Sequence, residues 1–308
     1  MHRLKHHILV TTLALATVLN APGTLMASEI AVVRSLDHGS FDQVLKSFHS
    51  TCEKRITEYN LKGKKGNADR IVAQIREQKP DLVLAVGLLA ANELRDRLPD
   101  VPLLYCMVSN PHRYGLTGEN IVGISLDIPG AEQFQLYRSV IPDLNRIGVI
   151  YDPDKSEQLV SEARSAAEKM GIDLISKPVS SHKKVPGALR EMLGNIDVLW
   201  MVPDDTVITM DSFRFLLVTS LENKLPMMAV TDIFVKFGAL ATIVPDPAEV
   251  GRQICKIVNA IQHGELDISN VDVLAPTQAN LVLNNKTTKK IGLEVSKEVL
   301  DTASKVYE

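Results

Sequence analysis

At 308 residues the chain exceeds the ~100–200 of a usual domain, so two folding units are the starting expectation. Its 34 Lys and Arg against 37 Asp and Glu give a formal net charge of −3, a balance that excludes a general binder of nucleic acid or anionic membrane. Cysteines occur only at 52, 106 and 255; there is no Cys-x-x-Cys pair, and an odd number excludes a fully paired disulfide framework.

In chain order, Arg3 and Lys5, the uncharged apolar stretch 8–19 and the small residue Ala27 read as a secretory signal peptide covering 1–27. The apolar stretch is too short for a membrane span. Without this segment the net charge falls from −3 to −5, because the segment carries Arg3 and Lys5 and no acid. Strands are expected at 30–33, 56–61, 82–86 and 102–108. Helical spacing separates them at Phe41, Val44, Leu45 and Phe48, at Ile71, Val72 and Ile75, and across 90–98. The unbroken apolar run LVLAV at 82–86 suits a parallel strand covered on both faces.

After 121–126, an extended segment without helical period, the alternation restarts. Strands are expected at 147–151, 172–175, 198–202 and 227–230, with helices at 157–170, 185–193 and 213–221. Lys79-Pro80-Asp81 leads into LVLAVG as Asn195-Ile196-Asp197 leads into VLWMVPD, and each is followed by a helix and a strand opening on Pro102 or Pro226. This βα order predicts two similar α/β lobes with parallel sheets; a single open sheet of about ten strands would be uncommon. A last helix at 249–262 stops at His263-Gly264. The segments 121–126, 239–244 and 280–283 are expected to cross between the lobes as a three-strand hinge. That gives a first lobe of 28–126 plus 245–282 and a second of 127–244 plus 283–308.

Open parallel sheets bind ligands outside the carboxyl ends of their strands. The residues expected there are Leu36, Asp37, Gly87, Leu88, Ser109 and Asn110 in the first lobe. In the second they are Asp152, Asp154, Ser156, Asp204, Asp205, Thr206 and Asp232. Backbone N–H groups at helix starts can hold a ligand carboxylate, and a facing carboxylate can hold an ammonium. The acidic excess of the second rim, partly offset by Lys155, favours a ligand with a positive group. Ser, Asp and Asn in these positions are equally ordinary helix N-caps. No GxGxxG follows the first strand, and GxxxxGK[ST], GxSxG and HExxH are absent. Neither catalysis, a cofactor nor a metal site is therefore expected; His38 and His112 could approach one cleft but lack a ligand spacing.

Taken together, KPDLVLAVG (79–87), VPLLYCMVSNP (101–111), GLTGENIVGISL (115–126), LYRSVIPDLNRIGVIYDP (136–153), AAEKMGIDL (166–174), IDVLWMVPDDTV (196–207), FGALATIVPDPAEVGRQ (237–253) and LVLNNKTTKKIGLEV (281–295) form a specific series. In order and spacing the chain resembles the ABC-transporter substrate-binding proteins whose relatives include tryptophan and tyrosine binders. The resemblance implies the type I periplasmic-binding-protein fold, two Rossmann-like lobes joined by a hinge of three crossing strands. It further implies a monomeric periplasmic receptor that closes on a small, amino-acid-like molecule and docks on an inner-membrane ABC permease. Departures fall at the ligand loops. Ser109-Asn110-Pro111 stands where the family commonly has Thr-Asp-Pro, and Pro203-Asp204-Asp205-Thr206 where it often has Pro-Thr-Asp-Asn. Asp152-Pro153-Asp154-Lys155-Ser156 replaces an Asn/Ser-rich loop, so aromatic specificity does not transfer with the architecture. Two other functions fit the same pattern: a receptor reporting to a membrane sensor kinase, which neighbouring genes would reveal, and a periplasmic hydrolase, which ligand turnover would reveal.

Overall fold

The computed structural model describes residues 29–271 and 273–308, so the expected signal peptide lies outside the described residues. Strands β1 (Glu29–Arg34), β2 (Arg55–Asn60), β3 (Leu82–Val86), β4 (Leu103–Val108) and β5 (Ile121–Ser125) alternate with helices α1 (Gly39–Thr51), α2 (Ala68–Gln78) and α3 (Leu88–Arg95). Helix α4 (Gly130–Val140) leads to β6 (Arg146–Tyr151), β7 (Asp173–Pro178), β8 (Val198–Trp200), β9 (Met227–Ala229) and β10 (Ala241–Pro245), with α5 (Pro153–Lys169), α6 (Val185–Met192), α7 (Met210–Glu222) and α8 (Asp232–Phe237) between them. Next come α9 (Pro247–Gln262), β11 (Val273–Leu274), β12 (Ala279–Asn284), α10 (Asn285–Ile291), α11 (Lys297–Thr302) and β13 (Lys305–Tyr307).

The strands make two sheets, one of six ordered β11-β5-β4-β3-β1-β2 and one of seven ordered β13-β12-β10-β9-β8-β6-β7. Pairing is parallel except for antiparallel β10–β12. Successive strand side chains point to opposite faces, and each sheet is covered on both. In the first, Val32 and Leu84 pack under α1 and α9, while Val33 and Val83 pack against α2 and α3. In the second, Val149 and Trp200 meet α4 and α5, while Ile150 and Leu199 meet α6 and α7. The edge strands β2 (RITEYN) and β7 (DLISKP) carry charges and a proline, which discourage pairing with another chain.

The repeated Asp ahead of β3 and β8 does the same work in each lobe. An Asp81 carboxylate oxygen accepts from Glu29 N–H at 3.0 Å, tying the start of β1. An Asp197 oxygen accepts from the N–H groups of Asn145 and Arg146 at 3.0 and 2.7 Å, tying the start of β6. Burial opposes ionisation of Asp197, yet Arg146 and these two N–H groups hold its carboxyl below the usual carboxylate range.

The chain passes between the sheets after β5, after β10 and between β11 and β12. β5 lies wholly in the first sheet, and β10 and β12 wholly in the second, so the crossings occupy the residues flanking the extended segments. In particular, β12 runs in register with β10 from Ala241↔Leu283 to Pro245↔Ala279, so a lobe boundary at 282/283 would cut a strand. Helix α9 and strand β11, both packed with the first sheet, lie between these two antiparallel partners in the sequence and hide their kinship. Among the described residues no helix is long and apolar enough to cross a membrane.

Candidate ligand-binding cleft

The carboxyl ends of the two sheets face a cavity of about 930 Å³, within the size range of small-molecule sites. Leu36, Phe41, Met107 and Ser109 line it from the first lobe, and Trp200, Met201, Thr231 and Asp232 from the second. Residues at or beside the crossings, including Asp127, Ile128, Val244 and Asn280, complete the wall. Met107 has φ +59° at a register shift between β4 and β5, a conformation a non-glycine residue adopts only where its surroundings hold it. The chain's single tryptophan is fixed by Gln133, whose Oε1 accepts from Trp200 Nε1–H at 3.0 Å and from Tyr137 O–H at 2.7 Å. The ring of Phe134 meets Trp200 edge-on at 5.3 Å.

Asp127 stands just past β5. Its Oδ2 accepts from Asn110 N–H at 2.5 Å and from Ser125 O–H at 2.8 Å. Burial pushes this carboxyl above the usual carboxylate range, against the opposing pull of the Asn110 N–H, the Ser125 and Ser109 hydroxyls and nearby His112.

Of the residues expected from the sequence, Leu36, Ser109 and Asp232 line this cavity. Asp232 also meets Lys305 Nζ at 3.3 Å, and Lys305 lines the cavity too. Gly87 lies behind the wall: at φ +89°, a Cβ there would come within 2.8 Å of the Phe41 ring. Leu88 packs into the core on the far face of the first sheet. Asp37 accepts from Asn60 Nδ2–H at 2.6 Å, and it is not among the lining residues.

The second-lobe acids form a network of their own. Asp204 Oδ2 accepts from Asp152 N–H at 2.7 Å and from Ser156 O–H at 2.9 Å, while its Oδ1 accepts from Thr206 N–H at 2.9 Å. Asp152 Oδ2 accepts from the Thr206 hydroxyl at 2.7 Å, and its Oδ1 from Asp154 N–H at 3.2 Å, as the N-cap of α5. These groups bind the β6 and β8 loops to each other and do not line the large cavity. Asp205 instead reaches across to the first lobe. Its carboxylate meets Arg113 at 3.2 Å and Lys155 at 2.5 Å. Beside it, Asn110 Nδ2–H donates to Lys155 O at 2.9 Å, a second link between lobes.

Searching for polar residues after strands missed Asp127, Trp200, Gln133 and Met107. Asp127 carried a signal, since it directly follows the expected crossing segment 121–126. Trp200 and Met107 read locally as strand core, and only the closeness of the opposite lobe turns each into cavity wall.

A sequence model of the family described as ABC transporter substrate binding protein matches residues 29–307. A curated tyrosine-binding protein of Clostridioides difficile is 23% identical over 282 residues, covering 86% of this chain and 81% of that protein. Among solved structures, an ABC domain in complex with L-Trp from Streptococcus pneumoniae is 23% identical with a TM-score of 0.61, covering 91% of this chain and 99% of that one. The ligand-free, open form of a substrate-binding protein with adhesive properties from Clostridium difficile is 22% identical with a TM-score of 0.73, at the same coverage of 91% and 99%. These likenesses are of fold, and the fold is that of the type I periplasmic binding proteins. With its two sheets facing one cleft and the family match running from the first described strand to the last, the chain belongs to the ABC transporter substrate-binding protein family.

Proposed function

We propose that the protein captures a small amino-acid-like molecule between its lobes and delivers it, as a closed monomer, to an ABC permease in the inner membrane. In this reading residues 1–27 direct export to the periplasm, and no covalent chemistry, cofactor or nucleic acid is involved. The observation that carries it is the cavity of about 930 Å³ between the strand ends of two separately built sheets. Its wall suits such a ligand. Phe41, Met107 and Trp200 offer apolar surface for a side chain, and Asp127 offers a carboxylate for an ammonium. Lys305 and the N–H groups at the start of α1 supply positive potential for a ligand carboxylate. Leu36, Ser109 and Asp232 contribute from the positions expected of them, and the Asp152–Asp204 network supports the cleft from behind.

Mass spectrometry of small molecules released from the denatured protein should identify a zwitterionic metabolite, and calorimetric titration should show it binding one site per chain. A released molecule with no ammonium group, or continuous turnover of the bound compound, would overturn the reading. The export step is tested separately, by the intact mass of the protein recovered from a periplasmic fraction.

A further inference from the structure

We propose that Cys52 and Cys255 are a redox pair that closes into a disulfide, stapling α1 to α9. The two side chains belong to the same buried cluster, and Cys255 is the side chain that, after burial itself, pushes the Cys52 thiol up. The Cys255 thiol also lies 3.3 Å from the carbonyl oxygen of Thr51, the peptide group that precedes Cys52. Both side chains are buried, Cys52 at 4% and Cys255 at 5% exposure. They meet because the two helices approach closely. Gly251, one turn before Cys255 on the same face of α9, leaves so little room that a Cβ there would lie 2.4 Å from Val44 O. The Ser47 hydroxyl donates to Ala248 O at 2.6 Å along the same seam. Cys106, by contrast, sits fully buried within β4, inside the first sheet.

The partner in the reaction is a disulfide oxidant, either a small-molecule disulfide or a thiol–disulfide oxidoreductase. One thiolate attacks the oxidant's disulfide, forms a mixed disulfide and releases one thiol. The second cysteine then displaces the other half, forming the Sγ–Sγ bond. Two protein thiols are oxidised, and the oxidant is reduced to two thiols, which take up the two protons. Burial, together with the neighbouring Cys255, pushes the Cys52 thiol up to about 12, so closure is slow at neutral pH and speeds up as pH rises.

The position gives the bond a purpose. Cys52 belongs to the opening stretch of the first lobe, and Cys255 to the helix that returns to that lobe after β6 to β10 of the second. A bond between them would fasten both parts of a discontinuous lobe, and linking residues so distant in sequence restricts the unfolded chain strongly. Its occurrence in the cell rests on export to an oxidising compartment; its chemistry does not.

The test uses the purified chain, reduced and then exposed to oxidised glutathione at mildly alkaline pH. Free thiols are counted after denaturation by maleimide mass-tagging. The expected result is a fall from three thiols to one, a non-reduced peptide joining Cys52 to Cys255, and a melting temperature higher by roughly 5–10 °C that reverts with dithiothreitol. Cys52→Ser and Cys255→Ser should each show two thiols before and after oxidation. Three thiols remaining in the oxidised folded protein, a stable glutathione adduct on one cysteine, or a link to Cys106 would overturn the proposal. None of these outcomes depends on the export or ligand readings.

Discussion

Asp204 is 1% exposed, and its carboxylate accepts from the N–H groups of Asp152, Thr206 and Val207 and from the Ser156 hydroxyl. Asp204→Ala strands these donors, so the unliganded protein should lose about 1–3 kcal/mol of stability. Affinity in the surviving folded fraction should change little, which melting and titration would separate. Asp205 is different: its side chain is 65% exposed, and Lys155 and Arg113 hold its carboxyl down at about 2. A depressed folded value means that its contribution is present above the ordinary carboxylate range and lost only as pH falls towards about 2. Because solvent screens the pair, Asp205→Asn should weaken ligand binding only about 1.5–5-fold at low salt. The difference should vanish near ~1 M salt; one that survives there would mean Asp205 touches the ligand. Asp127 has the opposite sign. Burial raises its carboxyl, so ionising it costs folding free energy as pH rises from the unfolded value through the folded one. Asp127→Asn should therefore melt higher than the parent at neutral pH, because the amide oxygen can still accept from Asn110 N–H. In the same variant an ammonium ligand should bind more weakly, and the parent's own affinity should fall as pH drops through the raised value. A variant with full affinity would remove Asp127 from the site.

The seam between α1 and α9 is the most sensitive place among the elements. A Cβ on Gly251 would meet Val44 O at 2.4 Å, Ser47 Cβ at 2.7 Å and Phe48 N at 2.9 Å. Two of these atoms are backbone, so Gly251→Ala must push the helices apart, at a cost of about 1–3 kcal/mol from overpacking. An unchanged urea midpoint would show that the seam is softer than its geometry. Elements with a strong local period were legible in the sequence. The run at 82–86 became β3, and α9 ends at Gln262, with His263 as its C-cap ahead of Gly264. By contrast, β11 has two described residues and exists only through pairing with β5; nothing local marks it. The same physics limits the site. Asp152 and Asp204 lie where ligand groups were expected, yet their bonding is to each other's loops, across 52 residues of sequence. No local pattern distinguishes a carboxylate turned back on its neighbour from one aimed at a ligand.

Each lobe has its own sheet with packed side chains on both faces. Three chain crossings and the links from Arg113 and Asn110 to the second lobe join them. Coupling between the lobes without ligand should therefore be weak, with each core able to melt near its own temperature. A ligand held by both lobes changes this, because its binding free energy is available only while both are folded. At 100 times its dissociation constant a ligand adds about 2.7 kcal/mol, or roughly 5–10 °C for a chain of this size. Calorimetry should accordingly show a broad or doubled transition without ligand and one sharper, higher transition with it, accompanied by a smaller radius of gyration in scattering. The diagnostic outcome is a ligand that raises one transition and leaves the other in place. That would mean it binds a single lobe, and capture by closure would be wrong even though the fold is right.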